Sequence, residues 1–108
     1  MSRVEHYQTH EGTDIVGDWL DSLIDHQAVA RIAARLIRLE LGNFGDCKAL
    51  SNGVWELRVD WGPGYRIYYA QAGTELIVLL CGGDKRKQQN DIARAVGYWQ
   101  DWQRRSKL

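Results

Sequence analysis

Apolar residues recur along the chain with two different periods, and the changes of period mark out its elements. Val16, Trp19, Leu20 and Leu23 fall at i, i+3, i+4 and i+7, one face of a helix, while Asp14, Asp18, Asp21 and Asp25 fall on the other side. Thr13 is the expected N-cap, and Asp14 suits the positive end of the helix it precedes. Before this helix, Val4 to Gln8 is predicted as a first strand, with Glu11-Gly12 as its exit turn. A second helix is predicted from about His26 to Leu41, with Val29, Ile32, Ala33, Leu36 and Leu39 as its buried stripe and Gly42 as its C-terminal cap. The short link makes the two helices an antiparallel hairpin. Arg31, Arg35 and Arg38 form a separate stripe at i, i+4 and i+7. Pairing with the aspartates of the first helix is the expected use of that stripe, and contact with RNA or a partner is the alternative.

Beyond Gly42 the period becomes two. Asn43 to Leu50 reads as a loop and a short strand, and Ser51-Asn52-Gly53 as a turn. From Val54 to Trp61 the chain alternates, with Val54, Glu56, Arg58 and Asp60 on one face and Trp55, Leu57, Val59 and Trp61 on the other. Gly62-Pro63-Gly64 turns the chain into Tyr65 to Ala70, and Ala72-Gly73 turns it again. Leu76 to Cys81 is apolar on both faces, as in a strand covered on both sides. Gly82-Gly83-Asp84 is expected to break that strand. A last helix follows from about Lys87 to Arg105, with Ile92, Ala95, Val96, Trp99 and Trp102 on its apolar side. Strand, two helices, hairpin-linked strands and a final helix together predict an α+β fold with a mostly antiparallel sheet. The 108 residues are read as a single domain, 1–108, with no linker or repeat.

Composition narrows this picture. At 44% apolar and 26% charged residues the chain has ordinary globular usage, which argues against disorder. Cys47 and Cys81 form no C-x-x-C pair and are too few for a zinc site; Cys81 reads as a buried free thiol in a reducing, cytoplasmic setting. No apolar run is long enough to span a membrane, and the first residues lack a signal-peptide core. His6, His10 and His26 all lie in the first quarter, and Ser22, Ser51 and Ser106 lack a triad context. No metal, nucleotide or other small-molecule cofactor is therefore expected. Of the five tryptophans, Trp19 and Trp99 fit helix-core positions, and core packing is the expected role ahead of base stacking.

The net charge is zero, but it is unevenly spread. Residues 1–30 hold six acids and one base, whereas residues 31–108 hold 13 bases and eight acids. That asymmetry predicts one acidic region and one basic surface. The basic residues concentrate on the hairpin. If its strands pair at positions summing to 124, Arg58 lies opposite Arg66 and Glu56 opposite Tyr68. Two arginines directly across a sheet repel each other. They are neutralised either internally, by Glu56 and Asp60, or by a bound phosphate, which the guanidinium fork fits well. Lys85-Arg86-Lys87, after the last strand, is a second patch, and Lys48 a third contributor; convergence of these on one surface would suit a phosphate backbone.

The ordered set Val54-Trp55-Glu56-Leu57-Arg58, Gly64-Tyr65-Arg66-Ile67-Tyr68-Tyr69, Leu79-Leu80-Cys81-Gly82-Gly83-Asp84-Lys85 and Asp91-Ile92-Ala93-Arg94-Ala95 resembles the RelE/ParE toxin superfamily, and within it the phage-derived, HigB-like addiction-module killer proteins. The resemblance implies a compact microbial-RNase-like fold and a toxin of a type II toxin–antitoxin system, one that cleaves messenger RNA on the ribosome and so inhibits translation. It implies a cognate antitoxin, often of the helix-turn-helix kind, as partner, beside ribosome and mRNA. By that resemblance Arg66 and Arg86 stabilise the scissile phosphate, Arg58, Lys48, Lys85 and Lys87 bind or orient RNA, and Glu56 is a candidate base. Where such toxins often carry a tyrosine early in the last helix, this chain has Ile92, and Asn90 and Asp91 stand where HigB-like members often have histidine or a further acid. A gyrase inhibitor of the ParE kind and a non-catalytic antitoxin-binding module are the competing readings of the same fold.

Overall fold

The computed structural model describes residues 2–107. Strand β1 (Arg3–His6) leads into helices α1 (Ile15–Ser22) and α2 (His26–Glu40). Strands β2 (Cys47–Ala49), β3 (Val54–Val59), β4 (Tyr65–Ala72) and β5 (Leu76–Asp84) follow, then a 3-10 turn at Lys85–Lys87 and helix α3 (Gln88–Arg105). The five strands form one mixed sheet in the order β1-β5-β4-β3-β2. β1 runs parallel to β5, and the other neighbours are antiparallel. The architecture is α+β, as the alternation of periods predicts.

The sheet separates two cores. On one face Val16, Ala28, Ile32 and Leu39 of α1 and α2 meet Leu57, Ile67, Tyr69, Ile77 and Leu79. On the other, Ala95 and Trp99 of α3 meet Val54, Tyr68, Ala70, Val78, Leu80 and Cys81. β5 therefore has apolar neighbours on both sides, which is why its side chains alternate between two cores rather than between core and water. On α2 the stripe is rotated from the expected one: Ala28 is buried and Ala33 is exposed.

Several local expectations are corrected. Asp14, not Thr13, caps α1, accepting a hydrogen bond from the Gly17 amide at 2.9 Å and another from the His6 ring. The aspartates of α1 form no ion pair with the arginines of α2 among the described residues. Both helices use their apolar faces on the sheet, and Arg35 instead donates to the backbone oxygens of Arg58, Phe44 and Asp46.

Gly82 and Gly83 do not break the last strand; β5 continues through both to Asp84. Their smallness serves close packing. A Cβ on Gly82 would be driven into the Trp19 ring, and one on Gly83 into the Asp91 carboxylate. The two glycines face opposite helices by the ordinary alternation of a strand, and a bulge decides which of them faces which helix. Tyr68 pairs with Cys81 but Tyr69 pairs with Leu79, so Leu80 is the extra residue. That insertion resets the alternation just before the glycines, in the manner of bulges that re-aim side chains beside a functional surface.

The Asp14 cap carries a prediction. Burial pushes the Asp14 carboxyl up, but the Gly17 amide and His6 outweigh it and hold the group below its ordinary value. Asp25, hydrogen-bonded by the Trp61 indole and by amides of α2, and Asp101, hydrogen-bonded by Tyr7, are lowered too. The folded values lie below the unfolded ones. These carboxylates therefore add stability above the ordinary carboxylate range and lose it as pH falls through their lowered values. Asp14→Ala is expected to cost about 1 kcal/mol at neutral pH, the usual worth of an N-cap. In urea titrations followed by circular dichroism, the gap between this variant and the wild type should close as pH drops below about 4. A pH-independent gap would rule out the ionised cap.

Candidate nucleic-acid interface

The β3–β4 register is the one in which positions sum to 124: Arg58 lies opposite Arg66, and Glu56 opposite Tyr68. On the far side of β3, Lys48 of β2 pairs with Glu56. The tight turn between the strands needs Gly62 and Gly64, both at positive φ. The Gly64 carbonyl then accepts a hydrogen bond from the Lys85 amide at 2.9 Å, which holds the Lys85–Lys87 turn against the hairpin. Asp84 caps that turn through the Arg86 amide.

These contacts create a groove of about 420 Å³ lined by Arg58, Arg66 and Lys85, together with Asp46, Asp60 and the glycines of the hairpin turn. Three cations face two carboxylates there. The Arg58 guanidinium is engaged by Asp46 through Nε and Nη2, at 3.0 and 2.7 Å. This pair is solvent-exposed, so an incoming phosphate can replace the carboxylate at small cost. Asp60 and Lys85 have no ion-pair partner among the described residues.

Arg66 is held differently. Its side chain is 13% exposed, and its Nε lies 3.5 Å from Oε1 of Glu56, which is itself 1% exposed. Gln88, the first residue of α3, donates to the other Glu56 oxygen at 2.7 Å. Glu56 thus lies beneath the groove as a buried counter-charge clamped from the helix, and it does not line the groove wall. Nearby, the hydroxyl of Tyr68, Nε of Arg66 and Oδ2 of Asp91 are buried without a hydrogen-bond partner. Burial, reinforced by Glu56 and Asp91, raises the Tyr68 hydroxyl above its ordinary pKa. Burial also raises the Asp91 carboxyl, against the pull of Arg94 and Lys87. Cys81, which hydrogen-bonds the Asp91 carbonyl, is pushed up to about 12 by burial and stays an unreactive thiol.

The remaining predicted residues lie around the groove rather than in it. The Arg86 side chain is 79% exposed and is bound through two nitrogens to Asp84, whose carboxyl is held down chiefly by that contact. Lys87 and Lys48 are exposed and do not line it. Ile92 packs against the α3-side core. Sequence reasoning missed Asp46 and Gln88, and it placed Arg35 in the α2 stripe without its contacts to the hairpin and the preceding loop. Asp46 lies in an irregular loop, and Gln88 and Arg35 become neighbours of the hairpin only when the helices dock. No pattern in the chain signals Asp46 or Gln88, and the arginine stripe gives no sign of the carbonyls that Arg35 meets.

Sheet, paired helices, opposed C-terminal helix and basic groove together define a small α+β protein with a surface suited to a phosphate-bearing ligand. Residues 18–97 match the family of phage-derived Gp49-like proteins (DUF891), and the chain belongs to that family, which is associated with toxin–antitoxin modules. A Haemophilus influenzae protein described as uncharacterised is 49% identical over 77 residues, which cover 71% of this chain and 78% of that protein. The family match extends from α1 into α3 and takes in every residue of the groove.

Among the described residues no helix is long and apolar enough to cross a membrane, and no group of histidine, cysteine and carboxylate residues is arranged to hold a metal.

Proposed function

We propose that the chain is the toxin of a toxin–antitoxin pair and acts as a ribosome-dependent messenger-RNA endoribonuclease. The observation that carries this reading is the groove itself, where Arg58 and Arg66 sit side by side across β3–β4 with Lys85 on the same wall. The resemblance of the hairpin and β5 motifs to RelE- and HigB-like toxins supports the same chemistry.

Cleavage by this route begins with attack of a ribose 2′-oxygen on the adjacent phosphorus. The P–O5′ bond breaks, leaving a cyclic phosphate on one fragment and a 5′-hydroxyl on the other. Arg66 and Arg58 offset the charge that grows on the phosphoryl oxygens. Asp60, the unpaired carboxylate of the groove, is assigned the hydroxyl proton, and the Lys85 ammonium the leaving oxygen. Glu56 positions Arg66 and does not touch RNA, a role that fits its burial. Substrate placement by the ribosome lowers the barrier that such ordinary acid and base groups leave. The antitoxin is the partner that silences the protein.

Purified protein added to a bacterial cell-free translation reaction is expected to produce new mRNA 5′ ends only while ribosomes translate. Intact RNA with continuing translation would overturn the nuclease reading, and inhibition of gyrase supercoiling would then replace it.

A further inference from the structure

A second basic pocket adjoins the groove and shares Asp60 with it, and its three arginines have no role in the chemistry above. It measures about 270 Å³ and is lined by Arg31, Arg35 and Arg38 of α2 with Ala34, Val59 and Asp60. Three guanidinium groups therefore face one carboxylate. The arginine stripe does not pair with α1, and neither Arg31 nor Arg38 has a carboxylate partner among the described residues.

Each arginine is in a different state. Arg35 is committed to backbone carbonyls, among them that of Arg58 at 2.6 Å, and so ties the pocket to the groove strand. The Arg31 guanidinium carbon lies over the Trp61 ring, 3.8 Å from its centroid. Contact with the ring restrains the guanidinium, and Arg31 has no ion-pair partner among the described residues, so its fork is available to a bidentate oxyanion. Arg38 is exposed and makes no side-chain hydrogen bond among the described residues. Asp25, which precedes α2, is occupied by the Trp61 indole at 2.9 Å and by the amides at the start of α2.

Asp60 lines both cavities, so pocket and groove meet along one rim of the sheet. We propose that the α2 pocket is a second phosphate subsite, through which a single RNA strand crossing the groove is held at a further backbone position by Arg31 and Arg38. A polymer with regularly spaced charges can fill two adjoining basic cavities at once. The RNA identity of that polymer rests on the nuclease reading. Groove and pocket together are lined by six cations against two carboxylates, Asp46 and Asp60, neither of them from α1, so a chain of zero net charge still presents a cationic surface there.

The test uses the full chain and a short 2′-O-methyl oligouridylate, which cannot be cut, with binding followed by fluorescence anisotropy across a range of KCl concentrations. Each phosphate contact on a single strand contributes a slope of about 0.7 in log K against log salt. Arg31→Ala and Arg38→Ala should each reduce the slope by about that amount, and the double variant by roughly twice as much. Arg38→Ala removes no ion pair among the described residues, so it tests the idea even if loss of the Arg31–Trp61 contact disturbs folding. Slopes unchanged in both variants while Arg66→Ala still lowers the slope would overturn the subsite and leave the nuclease reading intact. Lowered slopes in a protein that fails to cut mRNA during translation would uphold the subsite and overturn the nuclease. Unchanged RNA slopes with lost binding of poly-glutamate would overturn the proposal in favour of an acidic protein partner.

Discussion

Arg66→Ala is expected to cut the rate of mRNA cleavage on translating ribosomes by roughly 100- to 1000-fold, the usual effect of removing one donor aimed at developing negative charge. The variant also strips Glu56 of its counter-charge, and a buried carboxylate left without its cation is strongly destabilising. Loss of activity and loss of fold must therefore be separated. Arg66→Lys keeps the charge but not the planar fork, and should recover only part of the rate. Arg58→Ala breaks only the exposed pair with Asp46, leaves the fold intact, and should slow cleavage by roughly tenfold, as loss of one phosphate contact worth ~1.4 kcal/mol would. Single-turnover cleavage, beside far-ultraviolet circular dichroism of each variant, makes the comparison. Wild-type rates in folded Arg66→Lys and Arg58→Ala proteins would remove both arginines from the site.

The largest effect on stability is expected at Gly82. An added methyl would meet the Trp19 ring, which also packs edge-on against Tyr65 at 6.2 Å between centroids. The neighbour is a large ring wedged between α1 and β5, not the free end of a flexible chain, so it cannot yield easily. Gly82→Ala should destabilise the protein by roughly 3 kcal/mol, at the upper end of overpacking penalties. Gly83→Ala should cost less, because the Asp91 carboxylate it meets can rotate away. Chemical denaturation of both variants, with Trp19→Phe as a compensating change, checks the mechanism. Partial recovery of Gly82→Ala by Trp19→Phe is the expected coupling. If Gly82→Ala unfolds at the wild-type midpoint, close packing is not what requires glycine there.

Much of the fold was legible before any coordinates. Apolar spacing of 3.6 marks α1, α2 and α3 because each covers a sheet on one side and faces water on the other. Alternation from Val54 to Trp61, together with a Gly-Pro-Gly turn of fixed length, sets the hairpin register and so the Arg58–Arg66 pairing. A slip by one residue would have sent Leu57 and Ile67 out of the core, which is why this register is strongly specified.

What the sequence alone determined was thus local: the elements, the register of one hairpin, and which cations it brings side by side. The tertiary structure decided what those cations touch. Asp46 neutralises Arg58 across a loop, and Gln88 steadies Glu56 from a helix 32 residues away. The β5 bulge turns two glycines that look like a strand breaker into seats for Trp19 and Asp91. Periodicity reports which side of an element is buried, since burial acts on every second or every third to fourth residue. It carries no signal for a single polar contact between distant segments, whose partners are fixed only once the helices close on the sheet.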